Sequence, residues 1–173
     1  MLVLRCQEGD AAAFESLVGA WQERLWRHAR RLTGEEDAAY DVLQETWIAI
    51  GRGIGRLQDP AAFAAWAYCI VRNKCNDWIR RKKRHSKGFD SYVSARTLAK
   101  NESPYHEDTR VENLSHALAH LSGGDLALLA LKYEEGFDTS QIAEAFGIPE
   151  GTVRSRLYTL RNRIRNMMKG TKP

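Results

Sequence analysis

Apolar residues along this chain recur at steps of three and four, the interval that gathers side chains on one face of an α-helix. Between Asp10 and Leu32 the stripe is Phe14, Leu17, Val18, Trp21, Leu25, Ala29 and Leu32, with Asp10 placed to cap the helix and Gly34 to stop it. A second stripe of Ala39, Tyr40, Leu43, Trp47 and Ile50 predicts a helix from about Glu35 to Ile50, whose acidic first turn suits the helix dipole. Gly51, Gly53 and Gly55 then predict a break, after which Asp59-Pro60 opens a long helix to about Arg84. Its inward face is Phe63, Trp66, Ala67, Ile70, Val71, the stem of Lys74 and Trp78.

From His85 to about Thr109 the periodicity lapses, and the residues read as a flexible linker with a short helix near Ser94 to Lys100. Beyond it, Val111, Leu114, Ala117, Leu118 and Leu121 mark a helix ended by Ser122-Gly123-Gly124. Asp125 is expected to cap the next, Leu126 to Tyr133, which is apolar nearly all round, stops at Gly136 and belongs inside. Asp138 or Thr139 then caps a short helix bearing Ile142, Ala143 and Phe146. Gly147 is placed for the left-handed residue that ends it, and Pro149 opens a last helix with the stripe Val153, Leu157, Leu160 and Ile164. Two helices around so tight a turn form a helix-turn-helix. The fold class expected is all-α: two helical domains, 1–85 and 111–173, joined by a flexible linker, 86–110, with the helix-turn-helix in the second.

The polar faces carry the chemistry. Opposite the last apolar stripe lie Gly151, Ser155, Tyr158 and Asn162, flanked by Arg154, Arg161 and Arg165 on one side and by Thr152, Arg156, Thr159 and Arg163 on the other. Such a face suits a DNA major groove. A plain solvated basic helix is the competing reading; the turn, the short first helix and the single acid on this face, Glu150, weigh against it. On the long helix, Cys69, Arg72, Asn73, Asn76 and Arg80 share a polar side that runs into Arg81, Lys82, Lys83, Arg84 and His85. Asparagines and arginines with aromatic neighbours suit unpaired or melted bases as well as phosphates. On the second helix Asp37, Asp41, Gln44, Glu45 and Ile48 face outward together. An isoleucine rimmed by carboxylates reads either as a partner surface or as a lone exposed residue of no consequence.

Charge sharpens the picture. The formal net charge is +4, yet Arg72 to Lys87 holds eight bases and one acid, and Glu150 to Pro173 holds seven and one. Two basic patches on an otherwise acidic chain argue for two nucleic-acid contacts. The nearly uncharged stretch from Ala61 to Val71 is too short to span a bilayer, and the first residues lack an export signal, so a cytoplasmic protein without membrane contact is expected. Cys6, Cys69 and Cys75 lack metal-ligand spacing and read as reduced thiols. His116 and His120 are one helical turn apart, but no cysteine or acid completes a metal set, and ordinary surface histidines are expected. The glycines around Gly51 lack the Lys-Ser/Thr of a phosphate loop, and no nucleophile stands with a base. No cofactor, no metal and no enzymatic activity are expected.

Taken together, these segments resemble the RNA polymerase sigma factors of the extracytoplasmic-function class, over almost the whole chain. The stretches AFESLVGAWQERLWRHARRLTG, DAAYDVLQETWIAI and DPAAFAAWAYCIVRNKCNDWIRRKKR are similar to the three helices of the family's region two, and GDLALLALKYEEGFDTSQIAEAFGIPEGTVRSRLYTLRNRI to region four. The resemblance implies that Asp41, Gln44, Glu45 and Ile48 dock on core RNA polymerase. It implies that Arg72, Asn73, Asn76 and Arg80 face the melted non-template strand of the downstream promoter element, with Lys82, Lys83 and Arg84 on phosphates. Thr152, Arg154, Ser155, Arg156, Tyr158 and Arg161 would read the upstream element as duplex. An anti-sigma factor acting in trans is implied as a further partner. Read without the resemblance, the same motif also suits an autonomous dimeric helix-turn-helix regulator.

Overall fold

Caps written into the sequence set the ends of three of the described α-helices. The computed structural model describes residues 2–86 and 109–170; the short helix expected near Ser94 to Lys100 lies outside the described residues. Asp10 caps α2 (Ala11–Thr33) by accepting from the Ala13 N–H at 3.0 Å, and Gly34, at φ 75°, closes it. Before it lies a helix that the apolar pattern did not announce, α1 (Leu2–Gln7), which buries Cys6. The Gln7 amide donates to the carbonyls of Ile54 (3.0 Å) and Leu57 (2.7 Å), so α1 pins the turn that follows α3.

Helix α3 (Glu36–Gly53) departs from expectation in two ways. It runs on through Gly51 to Gly53 before a 3-10 turn at Ile54–Arg56, and Gly53 lies against Trp66, where a Cβ would come within 2.9 Å of the indole. Its buried face is also turned: Ala38, Ala39, Val42, Thr46 and Ile50 are buried, while Tyr40 is 55% exposed and lies beside Trp26. Asp59 caps a further 3-10 turn, Pro60–Ala62, from which α4 (Phe63–Ser86) continues. On α4 the most enclosed side chains are Phe63, Ala65, Ala67, Tyr68, Val71 and Cys75, with Trp66, Ile70 and Trp78 only partly covered. The Cys75 thiol faces the Ala29 carbonyl, and burial pushes its pKa up to about 12.

The second half is built from α5 (Thr109–Ala119), α6 (Gly123–Tyr133), α7 (Thr139–Phe146) and α8 (Glu150–Gly170). Ser122, not Asp125, caps α6: its backbone is extended and its hydroxyl accepts from the Asp125 N–H at 3.2 Å, so Gly123 and Gly124 are the first helical residues. Asp138 and Gln141 form a reciprocal capping box on α7, and Gly147, at φ 56°, turns the chain toward α8. As expected, α6 is the buried element of this half, with Ala127 to Leu131 all enclosed.

The halves do not stand apart. Helices α2, α3 and α4 pack on one another and α7 packs on α8, but α4 also packs against α7 and α2 against α6, so one apolar cluster runs through both. In the seam between them the His28 ring lies edge-on to Tyr68 (4.8 Å between centroids) and to Phe146 (6.1 Å), and Tyr68 meets Phe137 at 5.5 Å. Ion pairs flank this contact: Arg24 with Glu135, whose side chain is 7% exposed, and Arg31 with both oxygens of Glu134 at 2.6 and 2.9 Å. Gly123 abuts the carbonyl of Arg31 so closely that a Cβ there would collide with it.

Candidate nucleic-acid interface

On α8 the division of labour follows from the apolar stripe. Val153, Leu157 and Leu160 are buried and Ile164 partly so, which turns Arg154, Ser155, Arg156, Tyr158 and Arg161 to solvent, with Thr152 half-buried. All six side chains predicted to read the upstream element therefore lie on or beside one open helix face. Arg154 is drawn to Glu150 at 2.6 Å, and the Glu150 carboxylate also takes the Thr139 hydroxyl, tying α7 to α8. The Thr139 hydrogen bond, and then Arg154, hold the Glu150 carboxyl below its ordinary range. Ser155 donates to the Thr152 carbonyl at 3.0 Å and Arg161 to that of Leu157 at 3.2 Å. Arg156 and Tyr158 are exposed and make none of these hydrogen bonds, Tyr158 at 65% exposure.

The α4 face is engaged with its own neighbours. Arg72 is half-buried and donates to the side-chain amide oxygen of Asn73, Oδ1, at 2.8 Å from Nη2 and 3.3 Å from Nε. The same guanidinium lies against the Gly147 turn of the helix-turn-helix, filling the space that a Cβ there would need. Further along, Arg80 pairs with Asp77. Lys82 pairs with Glu35 and lies 4.9 Å from the ring centre of Trp78. Asn73, Asn76, Lys83 and Arg84 are exposed.

The candidate docking face on α3 divides. Asp41, Gln44 and Ile48 are exposed, Ile48 at 49%. Glu45 leans instead toward α4, pairing with Lys74 at 3.3 Å and Arg81 at 3.1 Å. Partial burial raises the Glu45 pKa, but the hydrogen bonds from Arg81 and Lys74 outweigh it and leave the carboxyl below its ordinary value.

His116 and His120 face each other with Nε2 atoms 3.4 Å apart, and among the described residues no three metal-ligating side chains cluster. No helix among the described residues is long and apolar enough to cross a membrane. The side chains that sequence reasoning missed are those of the seam, Arg24, His28, Arg31, Glu134 and Glu135. Nothing in helical periodicity pairs residues more than a hundred positions apart.

Comparison with known proteins bears on both faces. Residues 17–85 match the family model for Sigma-70 region 2, and residues 112–164 match that for Sigma-70, region 4. The chain is 34% identical over 160 residues to the ECF RNA polymerase sigma factor SigL of Mycobacterium tuberculosis, covering 87% of this chain and 88% of that protein. It is 30% identical over 175 residues to the ECF RNA polymerase sigma-E factor of Haemophilus influenzae, covering 95% and 92%. In fold it is similar to the sigma factor RpoE from Bartonella quintana, solved in complex with the anti-sigma factor NepR (TM-score 0.73, 22% identity, 92% of this chain and 98% of that one). It is also similar to CnrH, solved in complex with the cytosolic domain of CnrY (TM-score 0.65, 20% identity, 99% and 97%).

Proposed function

From the premise that this chain belongs to the extracytoplasmic-function RNA polymerase sigma factors, and is thus an alternative sigma factor directing transcription initiation, we propose how its residues divide the work. Residues 1–85 act as region two, 86–110 as the linker and 111–173 as region four. Asp41, Gln44 and Ile48, with Glu45 held at their edge by Lys74 and Arg81, dock on core RNA polymerase as an apolar centre with an acidic rim. On α8, Arg156 and Tyr158 lead the reading of the upstream element as duplex, with Thr152, Arg154, Ser155 and Arg161 beside them. On α4, Arg72, Asn73, Asn76 and Arg80 contact the melted downstream strand, and Lys82, Lys83 and Arg84 its phosphates. The protein works in the cytoplasm, is not itself an enzyme, and uses binding energy alone.

The observation that carries this reading is the α8 face: arginine, serine and tyrosine turned outward from a dry seam of Val153, Leu157 and Leu160. Each contact surface is small, so each module binds weakly alone. Holding both on one polymerase makes the second contact intramolecular and raises its effective concentration. The two structural neighbours were solved with anti-sigma factor NepR and with the cytosolic domain of CnrY, and we extend control by an anti-sigma partner to this chain.

In vitro transcription with bacterial core polymerase and a promoter library tests the whole proposal. The expected result is initiation from a subset of promoters sharing two elements at fixed spacing. Tight duplex binding by the chain alone, with no transcripts when polymerase is added, would instead establish an autonomous regulator.

A further inference from the structure

The end of α5 carries two side chains that neither the DNA faces nor the docking face uses. His116 and His120 stand four residues apart, so they project from the same side of the helix, and both are exposed. Spacing alone reads as ordinary surface histidines; the placement of the rings changes this. They stand edge to face, with 4.6 Å between centroids and 70° between planes, and their Nε2 atoms close to 3.4 Å. As a hydrogen bond that contact is long, and two exposed rings with water at hand gain little from it.

The same spacing suits a metal ion. An ion of the zinc type sits about 2.0–2.1 Å from each imidazole nitrogen. With the two nitrogens 3.4 Å apart, the angle at the ion is then roughly 110°, the tetrahedral value. A square-planar ion, with its right angle, needs the nitrogens at roughly 2.9 Å, closer than they stand. The pair also lies at the C-terminal end of α5, where the last carbonyls make the negative pole of the helix. The backbone beneath it is fixed, since the His120 carbonyl accepts from Arg163 of α8 at 3.1 Å and the His120 N–H donates to the Ala117 carbonyl at 3.3 Å. The charge of Arg163 weakens the attraction for a cation; the helix pole and the fixed geometry act the other way. We propose that His116 and His120 chelate one divalent ion of tetrahedral preference, Zn²⁺, through their Nε2 atoms. No third ligand among the described residues completes the set, so two positions stay open to water or to a partner's side chain and the ion exchanges freely. The two nitrogens meet only while the last turn of α5 is helical. A bound ion therefore stabilises that turn and, through Arg163, the packing of α5 on α8.

The test uses the full chain with Cys69 alkylated, so that no accessible thiol competes for the ion. Zinc sulfate is titrated in by isothermal calorimetry, and thermal unfolding is followed by far-UV circular dichroism with and without zinc. The expected result is one equivalent bound and a midpoint raised by several degrees at saturating zinc. His116→Gln and His120→Gln should each weaken binding by about ten-fold or more and cancel the thermal shift. Glu112→His combined with His116→Gln keeps the number of histidines at five but sets the pair two turns apart, and should behave as His116→Gln does. All three positions are exposed, and a far-UV spectrum recorded without zinc identifies any variant that has lost helix, whereupon the others decide. Absence of binding at millimolar zinc overturns the proposal. So does binding that survives either single substitution or the displaced pair, because the ion then rests on one ring or on other side chains. Binding that needs both histidines but leaves the midpoint unmoved overturns the stabilising role of the ion and leaves the chelate standing.

Discussion

Helices α4 and α8 carry similar side chains in opposite circumstances. On α8 the arginines rise from a buried aliphatic stripe into solvent and bond mostly along their own helix: Arg154 to Glu150, Arg161 to the Leu157 carbonyl and Arg165 to Asn162, with Arg163 reaching the His120 carbonyl. On α4 the basic residues are spoken for: Arg72 by Asn73 and the Gly147 turn, Arg80 by Asp77, Lys82 by Glu35 and Trp78. The difference arises from what each helix packs against. The buried side of α8 meets its own domain, whereas α4 sits between its domain and the other, so part of its polar face is used as internal surface. A count of positive charge therefore says where nucleic acid could be attracted, and packing says which charges are free to receive it.

The largest expected effect tests whether the two circumstances share one folding unit. All five tryptophans, Trp21, Trp26, Trp47, Trp66 and Trp78, lie in the first half, so their fluorescence watches that half alone. Leu128→Ala empties a fully buried position in the second half and is expected to cost about 2–5 kcal/mol. If the seam couples the halves, denaturant titration should show the tryptophan-detected midpoint moving with the far-UV one. A stationary tryptophan transition would show two independent units and break the comparison.

Next in size is the contrast in specificity. Arg156→Ala should remove roughly 1–3 kcal/mol of discrimination at one upstream position, read from a panel of promoter mutants. Lys82→Ala should weaken binding about equally across the panel and reduce the salt slope by about one. Indistinguishable profiles would end the division between a reading face and a phosphate face.

Acidity sharpens the coupling further. Burial, with a smaller contribution from the positive charge of Arg31, pushes the His28 pKa from 6.5 to about 3. The unfolded chain therefore takes up a proton near pH 6.5 that the native chain refuses until about pH 3. The stabilising contribution is complete above pH 6.5 and is lost progressively as the pH falls toward 3. The slope is at most about 1.4 kcal/mol per pH unit. Between pH 6.5 and 5.5, urea titrations of the wild type should show it, and His28→Gln should flatten it. The smallest effect is expected at the cap of α7: Asp138→Ala should cost about 1 kcal/mol in thermal or chemical denaturation, since the capping box loses its acceptor.

Much of this was legible in the sequence because it is local. Asp10, Gly34, Asp138 and Gly147 act on residues within a turn of themselves, and the stripe on α8 names its own buried face. The errors share a cause as well. Tyr40 fits the apolar stripe of α3 as well as Val42 does, and only the neighbouring Trp26 decides that the tyrosine can lie on the surface. Asp125 is as good a cap as Ser122 until the backbone of Ser122 is seen to be extended. The seam was beyond reach for a stronger reason. Periodicity says that a side of a helix is covered, never by what, and Arg24 meets Glu135 only because α2 and α6 happen to be neighbours.

One buried thiol supplies a clock for the interior of this molecule. Cys75, shut between α4 and the Ala29 carbonyl with its ionisation suppressed, is inert to alkylating reagents for as long as those helices stay together. Once the more accessible Cys69 is masked, any slow modification at Cys75 counts the moments when α2 and α4 separate. The chain thus records its own rarest excursions without an added label.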